Sequence, residues 1–382
     1  MPANTAQIDA ALAPLLRAAL RGAAPPEPLT AGAQALFLES TRRHDIQPVI
    51  CQRLADTGQL AAWPTAVQRQ LKDELFGQTA LKLSRAGELR RVLAALARRQ
   101  VFPLLMKGAA LSFTHYPTPA LRPHTDADLL LEENDLETAR QALKPLGYEP
   151  ANAVSGELFS YQSVFLRSAA PGQSWPLDVH WRLSNRHLFA HSFSFAELSR
   201  DARAVPQLGP RARMLGPLHA LFLACIHPLA HHQEDDDRLI WLYDARLLAA
   251  ALSTEEATEF CRLAAAKRAQ AACLQTLQRA QEWFPHDCLA ALLERLGATA
   301  TRDPSADYLR PRNWVEDLWL DLRELPLRGK LRLLKEHAFP PADYMLRRYH
   351  APGRIYLPWL YLRRAWAGLR RLGPFGHNAG DE

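Results

Sequence analysis

No apolar stretch in this sequence runs uninterrupted for the roughly 18 residues of a membrane span, because Arg, Pro or Asp breaks each one. A spanning helix is therefore excluded and a soluble chain is expected. The N-terminus carries Asp9 and shows no basic-then-apolar leader before a small-residue cleavage site, so cytoplasm is the expected location. The five cysteines (Cys51, Cys225, Cys261, Cys273, Cys288) are scattered and odd in number, with no C-x-x-C pair. That spacing argues against a disulfide framework and a zinc-finger site, and the thiols read as buried or idle. No repeat of fixed period occurs, and no low-complexity tract beyond the closing 373–382 segment.

What is present is ordinary globular composition: 382 residues, 48% hydrophobic and 23% charged, enough for two or three domains. The net charge of +6 is unevenly spread. From Arg323 to Arg371 twelve Lys and Arg face three acids, a local +9, which leaves −3 on the remainder. The basic character thus belongs to a tail segment and says little about the middle of the chain.

The first hundred residues read as helical. Ala6–Leu20, Ala33–Arg42 and Gln47–Leu54 are short apolar-periodic stretches separated by breakers such as Pro25, Pro26 and Pro28. After Pro64 a long amphipathic helix is expected to about Arg99, with Val67, Leu71, Leu75, Leu89, Val92, Leu93 and Leu96 on one stripe. The texture then changes. Short apolar runs at 101–106 and 126–131, a brief helix at 109–113, a helix entered at Asn134 or Asp135 and ended by Gly147, and strands at 161–166 and 177–183 describe a small mixed α/β unit. From Leu215 helical stripes return, and from Asp307 to Leu372 Arg, Trp, Tyr and Pro crowd together.

Asp126-x-Asp128 heads one of those strands. Residues two apart on a strand share a face, so both carboxylates project into one site, where a hard divalent cation would relieve their repulsion. Asp178 and His180 share a face by the same period, and if the strands are neighbours three carboxylates converge. Paired metals held in this way suit displacement at phosphorus. Taken alone, D-x-D also marks solvated strand ends and helix caps. Upstream, Lys107-Gly108 closes a strand ahead of Ala109-Ala110. A glycine there admits a phosphate to the backbone and the lysine can pair with it, although an ordinary strand-to-helix turn looks the same.

The order of these motifs resembles the uncharacterised nucleotidyltransferase family of the polymerase-β-like superfamily. The resemblance runs through Leu105-Met106-Lys107-Gly108-Ala109-Ala110-Leu111, Tyr116-Pro117, Arg122, Asp126-Ala127-Asp128, Leu146-Gly147-Tyr148 and Leu177-Asp178-Val179-His180-Trp181. It continues through Cys225-Ile226-His227 with His231, Trp241-Leu242-Tyr243-Asp244, Phe339-Pro340-Pro341 and Tyr361-Leu362-Arg363-Arg364, and so covers about 65–370. It implies an α+β fold, a small mixed-sheet nucleotidyltransferase core embedded in a mostly helical chain. It also implies transfer of a nucleoside monophosphate from an NTP to a hydroxyl-bearing acceptor, with Mg²⁺ or Mn²⁺ and loss of pyrophosphate. Asp126 and Asp128 would be the metal pair, and Asp178 the third acid, which activates the acceptor. One departure stands out: where the superfamily commonly has Gly-Ser or Gly-Gly, Gly108 is followed by Ala109, without the hydroxyl.

Around the acids, Lys107, Gly108, Arg122, Thr125 and His180 are the expected nucleotide contacts, with His124 on the same loop as Arg122. Arg122 can fork onto phosphate oxygens or be a solvated loop residue. His180 can orient Asp178, touch phosphate or pack as a core histidine. His227 and His231 stand four apart on an expected helix, but the third ligand and glutamate of a zinc site are missing, so they are placed on the acceptor side of the cleft or in packing. Asp244 is read as a helix cap or the partner of an arginine. The expected division is an N-terminal helical segment (1–99), the core (100–185), a helical domain closing the cleft (186–306) and a basic aromatic segment (307–382). That last segment is read as terminal packing, then as a peripheral membrane contact, with nucleic acid last because no nucleic-acid motif accompanies its charge. The competing reading is a non-catalytic partner or docking protein of this fold, in a biosynthetic or membrane-associated assembly. A metal-dependent phosphotransferase or hydrolase, releasing ADP or phosphate, is a third.

Overall fold

The computed structural model describes residues 5–151, 160–170, 173–230, 238–298, 303–310 and 313–372. Four helices open the chain: α1 (Thr5–Arg21), α2 (Ala31–Arg43), α3 (Gln47–Asp56) and α4 (Thr65–Arg98). Proline sets two of their boundaries, Pro64 standing at the N-cap of α4 and Pro48 in the first turn of α3, where its missing N–H costs nothing. Trp63 and Phe37 stack at 5.0 Å in the core between these helices. The buried face of α4 carries Val67, Leu71, Leu89, Val92 and Leu96, the stripe expected from the sequence.

A seven-stranded mixed sheet follows, in the order β3-β4-β5-β2-β1-β7-β6. Its strands are β1 (Leu104–Met106), β2 (Ala127–Leu130), β3 (Glu149–Pro150), β4 (Gln162–Ala170), β5 (Gln173–His180), β6 (Arg203–Ala204) and β7 (Arg213–Met214). β2 lies antiparallel to β1 and parallel to β5, which makes the two expected acid-bearing strands neighbours. α5 (Lys107–Thr114) leaves β1 directly, and α6 (Leu136–Leu143) follows β2. Asp135 occupies the N-cap of α6 without a side-chain cap bond, and Gly147 takes φ +84° after the turn that ends the segment. The sheet extends to Met214, past the 100–185 bound expected for the core, through β6 and β7. Two-residue strands are too short to leave a period-2 pattern in a sequence.

α7 (His187–Ala190) and α8 (Phe195–Arg200) are short. Helices α9 (Pro217–Ile226), α10 (Leu239–Ala250), α11 (Thr254–Ala266), α12 (Gln270–Trp283) and α13 (Asp287–Ala298) then pack together around buried Leu221, Phe222, Leu242, Phe260 and Leu277. The chain ends in α14 (Trp314–Arg323), α15 (Leu327–Ala338), α16 (Ala342–Arg348) and α17 (Leu357–Leu372). Ser194, Ser253 and Asn313 start α8, α11 and α14 with complete capping boxes. Cys51, Cys225, Cys261 and Cys273 are buried free thiols and Cys288 is exposed. Among the described residues no helix is long and apolar enough to cross a membrane.

Candidate active site

The parallel register of β2 on β5 pairs Asp128 with Asp178 and Leu130 with His180. Since His180 follows Asp178 by two, Asp128, Asp178 and His180 fall on one sheet face, and Asp126 stands in the bend just before β2. Asp128 is buried. It accepts from Lys107 Nζ at 2.6 Å and from His180 Nε2 at 2.9 Å, both on Oδ1. Burial alone would raise its pKa, yet the ammonium and the imidazole N–H outweigh that and hold it well below the usual carboxylate range. Its neighbours go the other way. Burial and repulsion from Asp128 and Asp126 push Asp178 up to about 7, and burial and Asp128 raise Asp126.

One ammonium is bonded among these three carboxylates, and the raised Asp126 and Asp178 mark a cluster short of positive charge. Ligand atoms of Asp128, Asp178 and His180 all lie within 4.8 Å of one another. Oxygen donors with uncompensated charge are what a hard divalent cation takes, so the residues present fit Mg²⁺ or Mn²⁺. Asp126 stands at the rim of this group rather than within it.

Lys107, Asp126, Asp128 and Asp178 line one wall of a cavity of about 440 Å³, within the size range of small-molecule sites. Its other walls come from α4, α9 and α10 and include Gln78, Arg85, His227 and Trp241. Gly108 lies at its edge, and Thr125 is exposed at the rim. Lys107 has φ +49°, a left-handed conformation that a lysine adopts only where its surroundings hold it; here the side chain is tied to Asp128.

Three of the expected phosphate contacts have partners within the protein. Lys107 is bonded to Asp128 and held charged by it. Arg122 is buried and clamps Asp244 with Nε at 2.9 Å and Nη2 at 2.6 Å, while Tyr116 Oη donates to the same carboxylate at 2.7 Å. Asp244 is thus the partner of an arginine, one of its two expected roles. His180 orients Asp128, not Asp178; burial keeps the imidazole pKa low and its Nε2–H donates to the carboxylate. Gly108 has a further reason to be glycine, since a Cβ there would meet the Arg122 guanidinium and the His124 Cβ at 3.1 Å. His124 itself meets Lys82 of α4. His227 lines the cavity with its ring edge-on to Trp241 at 4.8 Å. His231 lies outside the described residues.

Sequence reasoning missed the contribution of α4. Gln78, Lys82 and Arg85 occupy the gap between Leu75 and Leu89 in the apolar stripe, at the spacing where leucine would continue it. That polar interruption was the available signal.

No curated protein matches the sequence. A solved structure, the solution structure of the antibiotic-resistance factor ANT(2'')-Ia, is similar at 16% identity with a TM-score of 0.36, covering 52% of this chain and 98% of that one. The family model described as uncharacterised nucleotidyltransferase matches residues 31–285, well over half of the chain. The chain belongs to the uncharacterised nucleotidyltransferase family.

Proposed function

We propose that the protein transfers a nucleoside monophosphate from an NTP to a hydroxyl-bearing acceptor, releasing pyrophosphate, with the helical region 186–306 closing the cleft over the sheet. The observation that carries this reading is the convergence of Asp128 and Asp178 on the wall of the cavity, beside Lys107-Gly108, with buried His180 bonded to Asp128. A divalent cation bound by Asp126, Asp128 and Asp178 would supply charge stabilisation at the reacting phosphorus. The chain's own residues do the rest. His180 and Lys107 fix the rotamer of Asp128 and keep it ionised. Asp178, partly exposed on the cavity wall, is proposed to take the proton of an acceptor hydroxyl. His227 and Trp241 face the same cavity from the helical side and are proposed to meet the acceptor.

The test is turnover. Purified protein is incubated with Mg²⁺ or Mn²⁺, each labelled NTP and cell extract, and pyrophosphate release and label transfer are followed. Activity is expected with wild type and lost with Asp126→Asn combined with Asp128→Asn. A doubly substituted protein as active as wild type would sink this site.

One observation favours the competing, non-catalytic reading. The Lys107 ammonium already neutralises Asp128 internally, and Ala109 offers no hydroxyl to a phosphate. A wild type that turns over none of the NTPs would leave the fold as a binding platform. We also propose that the basic C-terminal segment contacts an anionic bilayer peripherally.

A further inference from the structure

In α4 the stripe that buries Leu71, Leu89, Val92 and Leu96 is interrupted by Gln78, Lys82 and Arg85. These three are spaced four and three apart, so they share the face with the leucines and border the sheet end that carries the acids. Placing polar groups on a helix's packing face costs stability unless each finds a partner. Lys82 has one in His124. The other two are incompletely satisfied: Arg85 Nε and Gln78 Oε1 are buried without a hydrogen-bond partner, and both residues line the 440 Å³ cavity.

The other cations on that cavity are engaged. Lys107 is bonded to Asp128, Arg122 to Asp244, and Arg238 to Asp45 at 2.8 Å. Arg85 feels the charge of Asp126 but makes no ion pair among the described residues. It is the guanidinium left to meet an incoming anion. Gln78 Nε2 donates to Glu74 at 3.0 Å, which leaves Oε1 as the atom in need of a donor. An occupant that satisfies both residues must bring an acceptor at one point and a hydrogen-bond donor at another. Seven residues of helix separate them by about 10 Å.

We propose that this face of α4, from outside the expected core, is the nucleotide's polyphosphate and ribose subsite: Arg85 holds the non-reacting phosphate oxygens of an NTP, and Gln78 accepts a hydrogen bond from a sugar hydroxyl. The assignment rests on the nucleotidyl-transfer reading and adds to it the residues that bind the donor substrate. It also supplies a phosphate contact where Ala109 provides none. An arginine forks onto two phosphate oxygens at once, a geometry that lysine cannot reproduce.

Isothermal titration of the full-length protein tests it, with inorganic pyrophosphate and each of the four NTPs in the presence of Mg²⁺, and with Mn²⁺ alone. Wild type is expected to bind pyrophosphate and at least one NTP. Arg85→Ala should weaken both by about 10- to 100-fold, Arg85→Lys should recover part of the loss, and affinity for Mn²⁺ alone should not fall, since the lost cation faced Asp126. Gln78→Leu should weaken the NTP by about 3- to 10-fold and leave pyrophosphate unaffected. Should Arg85→Ala fail to fold, Arg85→Gln replaces it with the same expectation, since Arg85 is partly exposed. Wild-type affinity for pyrophosphate in a folded Arg85 variant overturns the proposal while the nucleotidyl-transfer reading stands. A wild type that binds neither pyrophosphate nor any NTP overturns both.

Discussion

Asp178 is largely buried and sits opposite Asp128 in the sheet register, and burial together with the repulsion of that pairing has a consequence that can be measured without substrate. Its folded pKa lies near 7, above the ordinary 3.8, so ionisation is easier in the unfolded chain. The sign follows from linkage: the folded state binds more protons between those values, so stability falls as pH rises through that window. Below pH 4 the penalty is absent, and above pH 7 it is fully present. Asp178→Asn removes it. The metal-free variant is expected to melt about 1–3 °C above wild type at pH 8, with the gain fading toward pH 5. Mg²⁺ should raise the melting temperature of wild type and do little for the variant. Thermal unfolding at several pH values, with and without Mg²⁺, reads both effects; a gain that persists unchanged at pH 5 would point to packing rather than charge.

At the scale of elements, the Arg122–Asp244 clamp joins the loop before β2 to α10, and so ties the sheet to the helices that line the other side of the cavity. Both partners are buried, and Tyr116 shares the carboxylate. Removing one partner leaves a buried charge unanswered, so Asp244→Ala is expected to cost about 3–5 kcal/mol in denaturant unfolding. The same clamp governs Gly108. Pinned by Asp244, the guanidinium has little room to retreat from a new Cβ, and Gly108→Ala should cost about 1–3 kcal/mol; an unchanged midpoint would show that the loop gives way. How much of this was legible follows from its range. Lys107-Gly108, Asp126-x-Asp128 and Asp178-x-His180 carry their geometry locally, and the long helix after Pro64 shows in its leucines. The partners of Arg122 and His180 do not. Asp244 is 122 residues from Arg122, and which carboxylate His180 meets is set by the neighbouring strand, 52 residues away. Gln78, Lys82 and Arg85 show in the sequence only as a polar gap in the apolar stripe, and what they face emerges once the helix is placed against the sheet.

Across the whole molecule, charge is segregated, and most of the exposed large apolar side chains among the described residues lie in the C-terminal helices. The +9 stretch from Arg323 to Arg371 spans α15 to α17, whereas the acid cluster belongs to the −3 remainder. On α17, Trp359, Leu362 and Trp366 recur at helical spacing with more than half of each exposed, and Ile355 precedes them at 86% exposure. Leu327 and Leu331 of α15 and nearby Phe339 are exposed too. Basic side chains lie among them: Arg354 and Arg363 are exposed, and Arg363 stacks over Trp359 at 5.5 Å. Exposed indoles beside guanidinium groups match the boundary between acyl chains and anionic headgroups, where each cation contributes about 1 kcal/mol. An anionic bilayer is the partner we propose for this face. The full-length protein is expected to co-sediment with vesicles of phosphatidylcholine and phosphatidylserine, with tryptophan emission shifting to the blue, and to bind pure phosphatidylcholine weakly. Raising salt should release it as the surface charge is screened. Combining Trp359→Ala with Trp366→Ala should lower vesicle affinity by about tenfold or more, and leave the titration with Mg²⁺ and pyrophosphate unchanged because these residues lie apart from the cavity lining. Equal recovery with neutral and anionic vesicles, or with none, would remove the membrane from the account and return the aromatic face to terminal packing.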